Sequence, residues 1–217
     1  MHRRTPILAT IRQLRKQVFT TFELASASGK STSAVTQGLS YLVEAGILIK
    51  IYRGVWAEAK KGEISLYAAI PYLFPRQRAY VSFISALHLY GIIEQIPQVV
   101  TVASLAHTKT MRTSLGTVAV HRITPALFCG FSWYKGDGSF LIAEPEKALV
   151  DSVYLSVCKK RQFGHFPELR FPRGFDFQKA HAWTAKIPNA HARAAVYKKI
   201  DVLRATKMFE KYGWREK

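Results

Sequence analysis

The 217-residue sequence predicts an α+β fold in two domains, a mainly helical one over residues 1–61 and a mixed α/β one over 62–217. Three observations carry this. Up to about residue 45 the apolar residues recur at the three-to-four-residue spacing of helices, then give way to two short β-rich runs. Beyond Gly62, β-branched runs alternate with helical ones. The side chains are 48% hydrophobic and 12% aromatic, enough for a sizeable core and unlike a disordered chain.

In the first domain Ile7, Leu8, Ile11 and Leu14 make one helix face, with Arg12, Arg15 and Lys16 opposite. Thr20 or Thr21 offers the N-cap of a second helix over 22–28, which ends at Gly29. After a tight turn, Ser31 caps a third helix that runs to about Ala45. Its apolar stripe is Val35, Leu39, Leu42 and Val43. Thr32, Ser33, Thr36, Gln37, Ser40 and Tyr41 face away from it. Gly46 stops the helix as a C′ glycine, and Ile47 and Leu48 return to the core. Two β-rich runs then flank Arg53-Gly54 and predict a hairpin. Helix, helix, turn, helix and hairpin is the order of a winged helix-turn-helix.

The residue types fit a duplex. A helix entering the major groove needs small hydroxyl and amide side chains near its N-terminus, where its dipole favours phosphate. Lys30, Ser31, Thr32, Ser33, Thr36 and Gln37 supply that face. Gln37 can pair with adenine through two hydrogen bonds, Tyr41 is placed for backbone, and Arg53 at the wing tip for minor groove or phosphate. The competing reading is a merely solvated face. Ten Lys and Arg against Glu23, Glu44 and Glu58 up to Lys61 favour double-stranded DNA.

In the second domain, residues 64–74 are apolar and aromatic and close on Pro71 and Pro75. An amphipathic helix is expected over 80–91 and strands over 99–103 and 116–123. Two more strands, 131–135 and 139–143, should flank a Gly136-Asp137-Gly138 turn. Pro145 opens a helix with Glu144 and Glu146 near its start, a core stripe of Leu149, Val153, Leu155 and Val157, and Lys159, Lys160 and Arg161 after its end. Helices are expected again from Asp176 and over 189–212.

Two blocks here carry a resemblance. Ser85-Ala-Leu-His-Leu-Tyr-Gly91 with Gln95-Ile-Pro97 and Val99-Val-Thr-Val102 resembles one block of AbiEi-type antitoxins. Ile142-Ala-Glu-Pro-Glu-Lys-Ala-Leu149 with Asp151 and Tyr154 resembles a second. With the front domain, the resemblance spans residues 15–160. It implies a transcriptional autorepressor that binds operator inverted repeats, with two molecules on two half-sites. It also implies an antitoxin of a type IV toxin–antitoxin system, opposing a nucleotidyltransferase-like toxin without a stable complex. Two other classes stay open: a one-component regulator whose second domain binds an effector, and a DNA-guided nuclease.

The remaining motifs argue against catalysis. A metal nuclease places one residue between acid and lysine, whereas in Glu144-Pro-Glu-Lys147 the gap is two or none. That segment reads as a helix start, with Asp151 one turn past Lys147 as an ion pair of marginal worth. His88, His107, His121, His165, His181 and His191 lack ligand spacing, and His88 reads as a satisfied core or interface histidine. Cys129 and Cys158 read as reduced, buried thiols. No metal, cofactor or catalytic residue is expected. The apolar stretches are too short to span a membrane or form a signal core, so the chain is read as cytoplasmic.

The net charge of +18 is the strongest global feature. Lys159, Lys160, Arg161, Arg170, Arg173, Arg193, Lys198, Lys199, Arg204, Lys207 and Lys211 recur among Phe163, Phe166, Trp183, Tyr197, Phe209, Tyr212 and Trp214. They offer a second contact for DNA phosphates, RNA or an acidic protein, or simply a solvated face.

Overall fold

The computed structural model describes residues 7–59, 64–134, 140–158 and 167–211, with side chains to Ala205 in the last helix. The expected junction at Lys60-Lys61-Gly62, the turn at Gly136-Asp137-Gly138, and Lys159, Lys160, Arg161, Phe163, His165, Phe166, Tyr212 and Trp214 lie outside the described residues, as do the side chains of Lys207, Phe209 and Lys211. Packing divides the chain into two units, Met1–Arg76 with Met111–Thr117, and Gln77–Thr110 with Val118–Lys217.

The first unit begins with α1 (Ile7–Leu14), β1 (Val18–Thr20), α2 (Thr21–Ser28), α3 (Thr32–Glu44), β2 (Leu48–Tyr52), β3 (Val55–Glu58) and α4 (Leu66–Leu73). Ile11, Phe19, Leu24, Val35, Leu39, Leu42, Leu48 and Trp56 form its core, with Ile7, Leu14 and Val43 packed against them. The predicted stripe of α3 is therefore the face that is buried. Caps set the helix ends. The Thr20 hydroxyl accepts the Glu23 N–H at 3.1 Å and the Glu23 carboxylate accepts the Thr20 N–H at 2.8 Å, a reciprocal pair that leaves no ambiguity over the cap of α2. Gly29 takes the left-handed conformation (φ +64) that stops α2. Ser31 Oγ accepts the Ala34 N–H at 3.2 Å to start α3. Gly38, inside α3, lies where a Cβ would run into Ile7 Cδ1.

The sheet of this unit has the order β1-β3-β2, both pairings antiparallel. The hairpin was expected, but β1 was not. Its three residues pair Val18 with Ala57, Phe19 with Trp56 and Thr20 with Val55. Segment 64–74 differs too. It is a helix that continues through Pro71, capped by Ser65 Oγ on the Tyr67 N–H at 3.2 Å. Proline forfeits one backbone bond. Burial of Ala69, Ile70 and Leu73 offsets it. These residues fall in the first unit, although the sequence boundary had placed them in the second.

The second unit holds β4 (Ala79–Val81), α5 (Phe83–Leu89), β5 (Val99–Ser104), β6 (Lys109–Thr113), β7 (Gly116–Arg122), β8 (Phe131–Trp133), β9 (Leu141–Ala143), α6 (Pro145–Cys158), α7 (Phe177–Ala185) and α8 (Ala190–Lys211), the tip of the β6–β7 hairpin being grouped with the first. Strand order is β6-β7-β5-β4-β9-β8; β4 runs antiparallel to β5 and parallel to β9. The expected helix over 80–91 is thus shortened. Tyr80 and Val81 are strand, fully buried between β5 and β9, and the helix starts only at Phe83. Phe83 has φ +58, an outlier for a bulky residue. Its neighbours hold it there: the Ser82 N–H donates to Thr101 O at 3.1 Å, Thr101 Oγ1 donates to Ser82 O at 2.8 Å, and the Thr101 N–H donates to Ser85 Oγ at 2.8 Å.

α6 packs against α5, α7 and α8, and ten of its residues are buried. The thiols are less enclosed than expected. Cys129 is half-buried and Cys158, on the last turn of α6, is exposed. Among the described residues, no helix is long and apolar enough to cross a membrane.

Candidate nucleic-acid interface

α3 carries its polar residues outward. Ser31, Thr32, Ser33, Thr36, Gln37, Ser40 and Tyr41 are exposed, as is Arg53, while Lys30 is half-buried. Tyr41 is 70% exposed. Two hydroxyls of this face are partly engaged. Ser31 Oγ caps α3, and Thr36 Oγ1 donates to Thr32 O at 2.7 Å, which leaves its lone pairs as acceptors. Ser33 and Gln37 belong to the helix interior and owe their outward direction to the buried stripe behind them.

The hairpin beyond α3 turns on Arg53 and Gly54 alone, Gly54 at φ +75. Its tip is joined to the start of α2. The Thr21 N–H donates to Gly54 O at 3.0 Å, and the Trp56 indole N–H donates to Thr21 Oγ1 at 2.8 Å. Lys50 Nζ lies 5.4 Å from the centre of the Trp56 ring. Beside Thr21, Phe22 is 73% exposed. Thr21, Trp56 and Phe22 were not candidate residues. The bonds of the first two cross most of the unit, and no periodicity rule brings an outward Phe to notice.

Lys16 and Glu23 form an ion pair at 2.6 Å. Burial raises the Glu23 carboxyl, but hydrogen bonds from Lys16 and from the Thr20 amide and hydroxyl outweigh it, so the carboxyl sits below its ordinary value. The same bond raises Lys16 against a smaller opposing effect of burial. This pair neutralises one basic residue of the unit, while Arg53 at the hairpin tip is exposed.

The second unit holds a polar cluster of the opposite character. Lys147 and Asp151 are both fully buried and ion-paired. Ser82 Oγ donates to Asp151 Oδ2 at 2.8 Å, Tyr80 Oη donates to the same oxygen at 3.1 Å, and Lys147 Nζ donates to Tyr80 Oη at 3.1 Å. Burial and the Asp151 carboxylate push the Tyr80 hydroxyl far above its ordinary value. This corrects the expectation of a pair of marginal worth. The i,i+4 spacing is as read, but β4 covers it, and a pair without water around it has its full desolvation cost to offset. The carboxylates at the start of α6 do not meet it. Glu146 accepts the Asp176 N–H at 3.1 Å, and Glu144 pairs with Lys179 at 2.9 Å. Burial, with Glu144 second, pushes the Tyr90 hydroxyl up to about 12. Among the described residues, no group of three or more His, Cys, Asp or Glu is placed to hold a metal ion.

Much of the basic surface of this unit has partners within the chain. Arg193 Nη1 donates to Ile187 O at 2.7 Å, Lys199 Nζ donates to Ser156 Oγ at 2.9 Å, Lys186 covers the Trp183 ring at 4.3 Å, and Arg170 pairs with Glu94. Arg173, Lys198 and Arg204 are exposed. His88 is a satisfied, half-buried histidine whose Nδ1 lies 3.1 Å from Ile93 O.

Residues 6–59 match the model of a family described as "Transcriptional regulator, AbiEi antitoxin". The match runs from α1 through β3 and so takes in every exposed candidate on α3 and the hairpin. The blocks at 85–102 and 142–154 lie outside it. No curated protein matches the chain.

Proposed function

We propose, from the match of residues 6–59 to a family of transcriptional regulators and antitoxins, that the chain is a DNA-binding autorepressor whose first unit works as a winged helix-turn-helix. The observation that carries the reading is the face of α3. Seven polar residues in eleven positions point to solvent, none of them acidic, and a two-residue turn that carries Arg53 follows after β2. α3 enters a major groove with Thr32, Ser33, Thr36 and Gln37 toward base edges and phosphates. Lys30 and Arg53 neutralise phosphate, and Tyr41 packs on backbone. Two molecules occupy the halves of an inverted repeat. The second unit supplies the antitoxin function against a nucleotidyltransferase-like toxin, without a stable complex between the two proteins.

Fluorescence anisotropy tests the first part, using duplex from upstream of the chain's own coding sequence beside a scrambled duplex at about 150 mM salt, where non-specific binding is weak. A preference of about a hundredfold or more supports a sequence-reading repressor, within the range that separates specific from non-specific sites. Equal affinities refute it. Co-expression with a neighbouring nucleotidyltransferase-like protein tests the second part. Growth should be restored without co-purification, and no restoration removes the antitoxin reading.

A further inference from the structure

A two-stranded hairpin has little stability of its own. The β2–β3 hairpin is steadied by β1, which pairs with β3 up to Val55, and the two-residue tip lies just beyond that pairing. Here the tip is fixed twice from one residue. The Thr21 amide donates to Gly54 O at 3.0 Å, and the Thr21 hydroxyl accepts the indole N–H of Trp56 at 2.8 Å. Trp56 is 2% exposed, so its N–H is an anchored donor that would lose its acceptor without Thr21. Thr21 is itself placed by its surroundings. It is the first residue of α2, directly after the Thr20–Glu23 capping pair, and Thr20 pairs with Val55 across the sheet. The backbone of Arg53, one residue before Gly54, is held by this path.

We infer that Thr21 is a positioning residue for DNA binding, holding the hairpin tip so that Arg53 meets a phosphate with its backbone already ordered. With the tip released, Arg53 is no longer presented to that phosphate and the contact is lost, so the salt slope reads it. The inference rests on the wing contact proposed above. Thr21 needs no contact with DNA of its own.

The test uses the full chain and a random-sequence duplex of about thirty base pairs, titrated between about 50 and 200 mM salt, since a phosphate contact shows on any sequence. Thr21→Val keeps the shape and removes the acceptor. It should lower the log–log salt slope by about 0.9 and the affinity at 150 mM by about fivefold, the effect of losing one phosphate contact. Arg53→Ala should do the same, and the double variant should be no weaker than Arg53→Ala alone. Thr21→Ser, which retains the acceptor, should restore the slope. Should Thr21→Val fail to fold, Trp56→Phe removes the donor instead and carries the same expectation. A purely structural Thr21 would lower the melting temperature and leave the slope unchanged. That result, or losses from Thr21→Val and Arg53→Ala that add, overturns the inference. If Arg53→Ala itself leaves the slope at its wild-type value, the wing contact is wrong and the inference falls with it. If Arg53→Ala lowers the slope and Thr21→Val does not, only the role of Thr21 is lost.

Discussion

α3 and α6 are of similar length, thirteen and fourteen residues, and both carry polar side chains along their course. They use them in opposite ways. On α3 the apolar residues Val35, Leu39 and Leu42 are buried and the hydroxyl, amide and phenol groups face water. On α6 the polar residues are buried as well, and the protein satisfies them internally. Lys147 and Asp151 bind each other, Tyr80 and Ser82, while Ser152 Oγ donates to Ala148 O at 2.8 Å and Ser156 Oγ to Val153 O at 2.7 Å. A polar group already supplied with partners has little left to offer a ligand. The difference separates a helix whose polar groups are bound within its unit from one whose polar groups face solvent.

The largest expected effect tests how closed α6 is. Asp151→Ala leaves the Lys147 ammonium buried with only a phenol for company, and breaking one side of such a pair costs about 3–5 kcal/mol. The urea midpoint of the full chain should fall accordingly, and Lys147→Met with Asp151→Leu should recover most of it. A loss under about 1 kcal/mol would match an exposed pair and erase the contrast.

Gln37→Ala addresses α3. A bidentate base contact is worth about 1–3 kcal/mol of discrimination, so the ratio between upstream and scrambled duplex should shrink by that amount. Equal weakening on both would make Gln37 a surface residue. Lys30→Ala and Arg53→Ala should each cost about fivefold on every duplex, with the slope change of one phosphate. An unchanged slope takes that residue out of the interface.

The smallest effect is electrostatic. The Glu23 carboxyl is held below its ordinary value of 4.5, so its contribution to stability is complete above that pH and is lost as the pH falls through the lower, folded value. Thermal melts from pH 7 to pH 3 should show an acid limb that Glu23→Gln makes shallower. An identical limb in the variant would assign acid sensitivity to other carboxylates.

What could be read in the sequence follows how local each determinant is. Gly29, Ser31 and Gly46 mark helix ends through their own backbone and side-chain chemistry, and the stripe of α3 shows its buried face by periodicity. The outward face of the candidate site was legible for the same reason. The strand at 79–81 was not, because Ser82, Ser85 and His88 among apolar residues fit one amphipathic helix through residue 91, and only pairing with β5 and β9 decides where strand yields to helix. Lys147 and Asp151 were legible as a pair but not as a buried one, since their cover comes from Tyr80 and Ser82, about seventy residues earlier in the chain. Trp56 and Thr21 lie 35 residues apart, beyond any local rule.

Gly38 carries a consequence for how this helix varies among relatives. Glycine inside a helix costs about 1 kcal/mol relative to alanine, and α3 accepts that cost where Ile7 of α1 presses against it. A methyl at position 38 must displace the end of the Ile7 side chain, by its rotation or by a shorter residue at position 7, and a shorter residue at 7 without the methyl leaves a gap. Substitutions at the two sites should therefore arise together. An alignment would show their summed volume varying less than either residue, a trace of helix packing written as correlated change.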